Sequence, residues 1–384
     1  MKKNLSLLFA LLCAVTFFTA CSDDDDTSYK TLSGDYSTEK LDLTYNGKAL
    51  NGKTISMSAL NGETGIIILK DIVPGEASLT VENVKLENLG NGNFSFDGQN
   101  ANADRTVAVS GKVEGGKMTL ATVFKVTSKV VGKWMLLPID SEEQDPTKVK
   151  FPLILNIDTD IESMALPIMM GSNADIPWEI PMKYDPDYGT SFTLTIQALF
   201  SMIVPGLLES IDLKEDGNLI ATYKPFSMTM ADDAENAPLT TPEGMVRYYV
   251  KDGYIYVLLD IASLMSTQTR ADMDINTILS MLNNGIPLKL DVTDAELKAY
   301  VDKDMMLPFM SMADLLKGMI SNMEPIDAFI GKITAESLTK FIDDAVVLVT
   351  TAKSMEIGLD LVPYVAQQPS SRGLKNFIER SARY

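Results

Sequence analysis

Histidine is absent from this 384-residue chain, and cysteine occurs only at Cys13 and Cys21. Without an imidazole there is no Ser-His-Asp or Cys-His nucleophile system, no His-containing zinc site and no histidine acid–base chemistry. Cys13 sits inside an apolar leader and Cys21 directly follows it, so the body beyond is expected to hold no disulfide and no thiolate metal site. Such a body relies on core packing alone. Basic residues are scarce as well. Lys and Arg total 33 against 52 Asp and Glu, a net charge of −19. That balance argues against a nucleic-acid partner, which would need basic patches. No cofactor and no catalytic residue is indicated, and the protein is read as a non-enzyme. Hydrophobic residues make up 46% of the chain, enough for sizeable cores and too many for a disordered stalk.

Residues 5–18 form an apolar run behind Lys2 and Lys3, the layout of an export signal. The run is shorter than the ~20 residues that span a bilayer. It ends in Phe18-Thr19-Ala20-Cys21, followed by Ser22 and by Asp23, Asp24, Asp25 and Asp26. Small residues before a cysteine resemble the lipobox of bacterial lipoproteins, and the acidic run resembles the surface-export signal of Bacteroides-type outer-membrane lipoproteins. The resemblance implies a signal peptide over 1–20, an acyl chain on Cys21, an acidic tether over 21–29, and a location on the outer membrane facing the exterior.

From 30 to 128 the pattern is β. Leu41, Leu43 and Tyr45 share one strand face before Asn46-Gly47; Ile55, Met57 and Ala59 repeat the alternation before Asn61-Gly62. Leu79 and Val81 are out of phase with Val84 and Leu86, which places a bulge near Glu82-Asn83. Phe94 and Phe96, then Val107, Val109 and Val113, and after Gly115-Gly116 Met118, Leu120, Phe124 and Val126 complete about eight strands in meander order. That order favours a small barrel over a sandwich. Leu32-Ser33-Gly34-Asp35-Tyr36, the Leu-x-Leu-x-Tyr strand and its Asn-Gly turn resemble the calycin-like lipoprotein domains of Bacteroides-type bacteria.

A second body is expected over 131–364, with a polar tail over 365–384. Gly132-Lys133-Trp134 looks like the lipocalin entrance motif, in which the tryptophan plugs the closed end of a barrel. Hairpins are read at Glu215-Asp216-Gly217-Asn218 and at Asp252-Gly253, and Phe192 to Ile196 reads as a strand. Apolar stripes predict helices over 272–284, from Thr293 with Leu297, Tyr300 and Val301 inward, after Ser311, and over 335–352. Met355, Ile357, Leu359 and Leu361 alternate as a returning strand. The fold class is therefore mainly β with added C-terminal helices: a calycin-like meander, then a lipocalin-like body covered by helices.

Methionine is frequent, at 22 residues, and six of them cluster over 305–323, where flexible thioethers suit either a core or an adaptable apolar pocket. A pocket between the second sheet and the helices of 305–352 would place Trp134 at its closed end and Met310, Met319 and Phe341 in its covering layer. Its occupant would be a small apolar or amphipathic molecule. The alternative is a glycan- or protein-binding accessory lipoprotein using Tyr248, Tyr249, Tyr254 and Tyr256 as a platform. Asp158, Asp160 and Glu162, with Asp185 and Asp187, lack the ligand ladder of a calcium loop and read as solvated surface. Ser37-Lys40 and Ser337-Lys340 fit Ser-x-x-Lys without the partner motifs of a penicillin-binding site.

Overall fold

The computed structural model describes residues 27–139, 148–170, 176–187, 189–224, 237–260, 285–321, 323–328 and 331–365. Cys21, the four aspartates after it, the 272–284 stretch and most of the tail lie outside them. The chain divides into two compact units: residues 1–100 with 108–123, and 101–107 with 124–384.

The first sheet contains β1 (Gly34–Ser37), β2 (Leu41–Tyr45), β3 (Lys48–Ala49), β4 (Thr54–Ala59), β5 (Thr64–Lys70), β6 (Ser78–Gly90), β7 (Asn93–Ala101), β8 (Arg105–Glu114) and β9 (Lys117–Val126). Its order is β1-β4-β5-β6-β7-β8-β9-β2-β3. β1 and β2 are consecutive, joined only by the turn Thr38–Lys40, yet they lie far apart in that order. A flat sheet would separate them by about 34 Å at ~4.8 Å per strand, whereas the turn reaches no more than ~14 Å. The sheet must therefore curl. Six antiparallel strands separate β1 from β2, so β2 meets β9 in parallel, Leu41 beside Met118 and Leu43 beside Leu120. Alternate residues fill the inside: Ile55, Ile67, Leu69, Val81, Met118 and Leu120 are each 3% exposed or less. The bulge expected near Glu82-Asn83 is present, with Asn83 at φ 53° and a register shift against Gly65 and Ile67.

Beyond the first sheet come β10 (Gly132–Leu136), β11 (Leu153–Asp158), β12 (Ser163–Met170) and β13 (Ile176–Pro181), then α1 (Phe192–Leu207). β14 (Leu208–Leu213), β15 (Leu219–Tyr223), β16 (Leu239–Thr240), β17 (Val246–Lys251), β18 (Tyr254–Leu259), β19 (Ile286–Val292) and β20 (Leu297–Asp302) follow. α2 (Lys303–Met306), α3 (Ala313–Ile320), β21 (Ile326–Ala328), β22 (Gly331–Ile333), α4 (Ala335–Thr351) and β23 (Ser354–Pro363) complete it. The main sheet runs β16-β15-β14-β10-β23-β20-β19-β18-β17, with β11 also on β23; β13-β12-β22-β21 form a small separate sheet. The main sheet curls too. Tyr248 N–H on β17 donates to Gly217 O in the β14–β15 turn at 2.7 Å, and Gly244 N–H donates to Asn218 Oδ1 at 2.8 Å. Gly217 permits that approach: it holds φ +83°, and a Cβ there would lie only 3.0 Å from Tyr248 O.

Two expectations are overturned. Phe192 to Ile196 opens a helix, not a strand: Ser191 Oγ accepts from Leu194 N–H, and Gln197 Nε2 ties the helix to Leu153 O. Thr293 does not cap a helix. Its hydroxyl accepts from Ala295 N–H and Glu296 N–H within a tight turn, and Leu297 to Asp302 continue as strand β20 between β19 and β23. The helix expected over 335–352 is α4, Ala335–Thr351, and the returning strand is β23. After Ser311 a 3-10 stretch, Leu307–Met312, gives way to α3.

Candidate functional site

The registers of the second sheet build one continuous apolar face. Trp134 lies between Ile211 and Pro363; Leu136 faces Leu361, and Leu361 faces Leu297. Further along, Leu359 pairs with Ala299 and Ala299 with Leu290, while Ile357 pairs with Val301. Leu288 meets Ile255, and Ile286 meets Val257. By the period-2 rule these side chains point to the same side. None of them is charged.

The face is closed at one end and less filled in the middle. Trp134, Leu136, Leu361 and Leu297 are buried, and Trp134 Nε1–H donates to Val130 O at 2.7 Å. Leu359, Ala299, Leu290, Leu288, Ile286 and Val257 are only partly buried. The same inward positions in the first sheet are sealed. At the other end lies a packed cluster: Leu153, Leu155 and Met355 from the sheet, Met164, Leu166 and Ile180 from β12 and β13, Phe192 from α1, Met306, and Leu348 and Val349 from α4.

Met310 and Phe341 both pack against that cluster, as does Trp178. Trp134 shares the sheet face but stands at the opposite end of β23, about 26 Å from Met355 at ~3.3 Å per residue. Trp134 is thus separated from Met310 and Phe341 along the sheet. Met319 lies on α3, with its side chain outside the described residues. Trp178 and the β11 residues Leu153 and Leu155 belong to the same region; only the pairing of β11 with β23 reveals them, and pairing over that separation has no local signature.

No protein family, curated protein or solved structure matches the chain. The reading of the site therefore rests on its geometry.

The tyrosines divide between the two faces. Tyr248 points inward, fully buried, its hydroxyl donating to Lys214 O at 2.9 Å; burial and nearby Asp216 push its phenol far up. Tyr249 and Tyr256 stack on the other face, 4.7 Å apart and within 2° of parallel, with Tyr254 tilted beside them. Burial pushes Tyr249 up to about 12. Tyr249 is 6% exposed, the condition of a cross-strand packing pair. Lys289 and Asp302 pair at 2.6 Å on that outer face.

The remaining motifs have structural employment. Ser337 forms a reciprocal capping box with Thr334, and its hydroxyl donates to Pro167 O at 3.0 Å; Lys340 pairs with Asp344. Ser37 stands before the turn Thr38–Lys40. Asp160 pairs with Lys353, whose hydrogen bond and charge hold its carboxyl below the usual range. Asp185 Oδ1 accepts from Asp187 N–H in a local turn.

Proposed function

We propose that the second body is a non-catalytic binding module for small apolar or amphipathic molecules, carried by a lipoprotein anchored through Cys21. The observation that carries this reading is the incompletely buried, uncharged inner face of a curled sheet. Small-molecule sites are concave and mostly apolar, and barrel mouths are favoured places for them. In this reading the body is lipocalin-like: Trp134 plugs the closed end, and α1, α4 and the 303–320 helices cover the mouth above Leu155 and Met355. The first body, calycin-like in its strand rhythm, is sealed by its own side chains.

The test is a titration of delipidated protein with long-chain fatty acids and bile-acid-like steroids. Trp134 and Trp178 stand at opposite ends of the sheet face, so the Trp134→Phe and Trp178→Phe variants separate a signal from each end. Saturable fluorescence change, calorimetric heat and a raised melting temperature are expected for at least one class. Flat responses throughout the panel would refute the module.

Anchoring is tested separately. Cys21→Ala is expected to release the protein from the membrane fraction into the soluble fraction. A single acyl chain binds only marginally, so several chains on this cysteine would be required for stable attachment. Deleting Asp23 to Asp26 is expected to leave membrane association intact and to reduce protease accessibility on whole cells. Retention of the Cys21→Ala protein in membranes would overturn the anchor.

A further inference from the structure

We propose that Glu296 and Asp360 share one proton and form a pH-operated clasp on the strands that frame the 137–152 segment. Asp360 lies on β23 opposite Lys298 of β20, on the outer face of the second sheet. Its backbone holds both ends of that segment: Leu137 N–H donates to Asp360 O at 3.0 Å, and Asp360 N–H donates to Pro152 O at 2.8 Å. β10 thus leaves β23, and β11 joins it, at this one residue.

The carboxyl group is out of place for a surface charge. Asp360 is 6% exposed, and its Oδ1 is buried without a donor. Lys298 Nζ stands 3.7 Å from Oδ2 but only 3.1 Å from Glu296 Oε1, so the ammonium serves Glu296 first. A buried acceptor lacking a donor costs stability; a proton on Asp360 removes the uncompensated charge there and gives the carboxyl a hydrogen to donate. The other charged neighbours do not supply it. Lys150, ahead of β11, exerts a weaker pull on both carboxyls. Glu356, on the same strand face, is occupied by Asn156 Nδ2 at 2.9 Å. Consistent with this geometry, burial and then the Glu296 charge push Asp360 up to about 6, while the Lys298 hydrogen bond holds Glu296 low.

The direction of the pH effect follows. A carboxyl whose folded-state value is raised binds more protons folded than unfolded between about pH 4 and pH 6, so stability falls as pH rises through that window. The clasp is closed in mild acid and strained at neutral pH. Asn at this position keeps the shape and a donor without the charge.

The experiment compares the whole chain with its Asp360→Asn variant by calorimetry from pH 4 to pH 8. The variant is expected to melt about 4 °C above the parent at pH 7.5, with the gap closing as pH falls to 4. A gap of constant size, or one that widens in acid, would overturn the clasp. A carboxyl-carbon NMR titration of the parent is independent of the variant's folding. Asp360 is expected to titrate near pH 6, and in Glu296→Gln to move back toward the ordinary carboxylate range. Titration of the parent in the ordinary range would refute the shared proton. Hydrogen exchange at the Leu137 and Asp360 amides, corrected for intrinsic rates, is expected to show more frequent opening at pH 7.5 than at pH 5. Equal opening would leave the proton without a mechanical role and defeat the clasp.

Discussion

Trp134→Ala is expected to destabilise the second body by about 3–5 kcal/mol, the range for removing a buried Trp side chain. The indole is 4% exposed, lies between Ile211 and Pro363, and donates its N–H to Val130 O. Its loss opens a cavity at the closed end of the apolar face and leaves the carbonyl of the buried Val130 without that donor. Trp134→Phe keeps most of the volume and forfeits the hydrogen bond, so a smaller loss of about 1–2 kcal/mol is expected. Denaturant unfolding of the whole chain, followed by circular dichroism, measures both. A cost below about 1 kcal/mol for the alanine variant would show that the closed end is not supported by this ring, and would remove the plug from the proposed binding module.

An equally large effect is expected in the first sheet from Gly111→Ala. A Cβ on Gly111 would fall deep inside the Thr119 carbonyl oxygen of the neighbouring strand and 2.9 Å from Phe96 Cζ. The Thr119 carbonyl is backbone in a hydrogen-bonded ladder, so it cannot rotate away; β8 and β9 would have to separate. Overpacking commonly costs about 1–3 kcal/mol, and more when backbone must move. The upper end, about 3 kcal/mol or beyond, is expected here. Gly206→Ala is the internal control. Gly206 lies in α1, and a methyl group there would meet nothing within 4 Å. Alanine in a helix is favoured over glycine by up to about 1 kcal/mol. Equal melting of the Gly111→Ala protein and the parent would disprove the close approach of β8 and β9.

The parts of the fold that were legible in the sequence are those governed by neighbours in the chain. Asn46-Gly47 and Asp252-Gly253 both adopt positive φ at each residue, as a two-residue hairpin turn demands. The α4 stripe of Phe341, Ala345 and Leu348 was legible because its apolar spacing persists over four turns and Thr334 caps it. Thr293 misled because a hydroxyl that satisfies two backbone amides serves a turn as well as a helix start. The alternation of Leu297, Ala299 and Val301 against Lys298, Tyr300 and Asp302 was the better guide there. Phe192 to Ile196 misled for the converse reason. Thr193 and Thr195 favour strands, yet Thr195 is spent on the Ser191 carbonyl, and the 16-residue uncharged run is long enough for a helix. The candidate site was legible only in fragments. Trp134 and Phe341 stand out singly, but their separation along one sheet face depends on β23 pairing with β10 and β11. Asp360 is one acidic residue among many until its neighbours are known.

The way each sheet is completed also sets the order in which the protein can assemble. In the first, Leu41 has no partner until Met118 exists; in the second, Trp134 has none on its β23 side until Pro363 arrives. A chain emerging N-terminus first therefore makes its hairpins early and its closing pairs last. Folding dominated by such distant pairings is slow, and during the wait the edges of β2 and β10 are open to wrong partners.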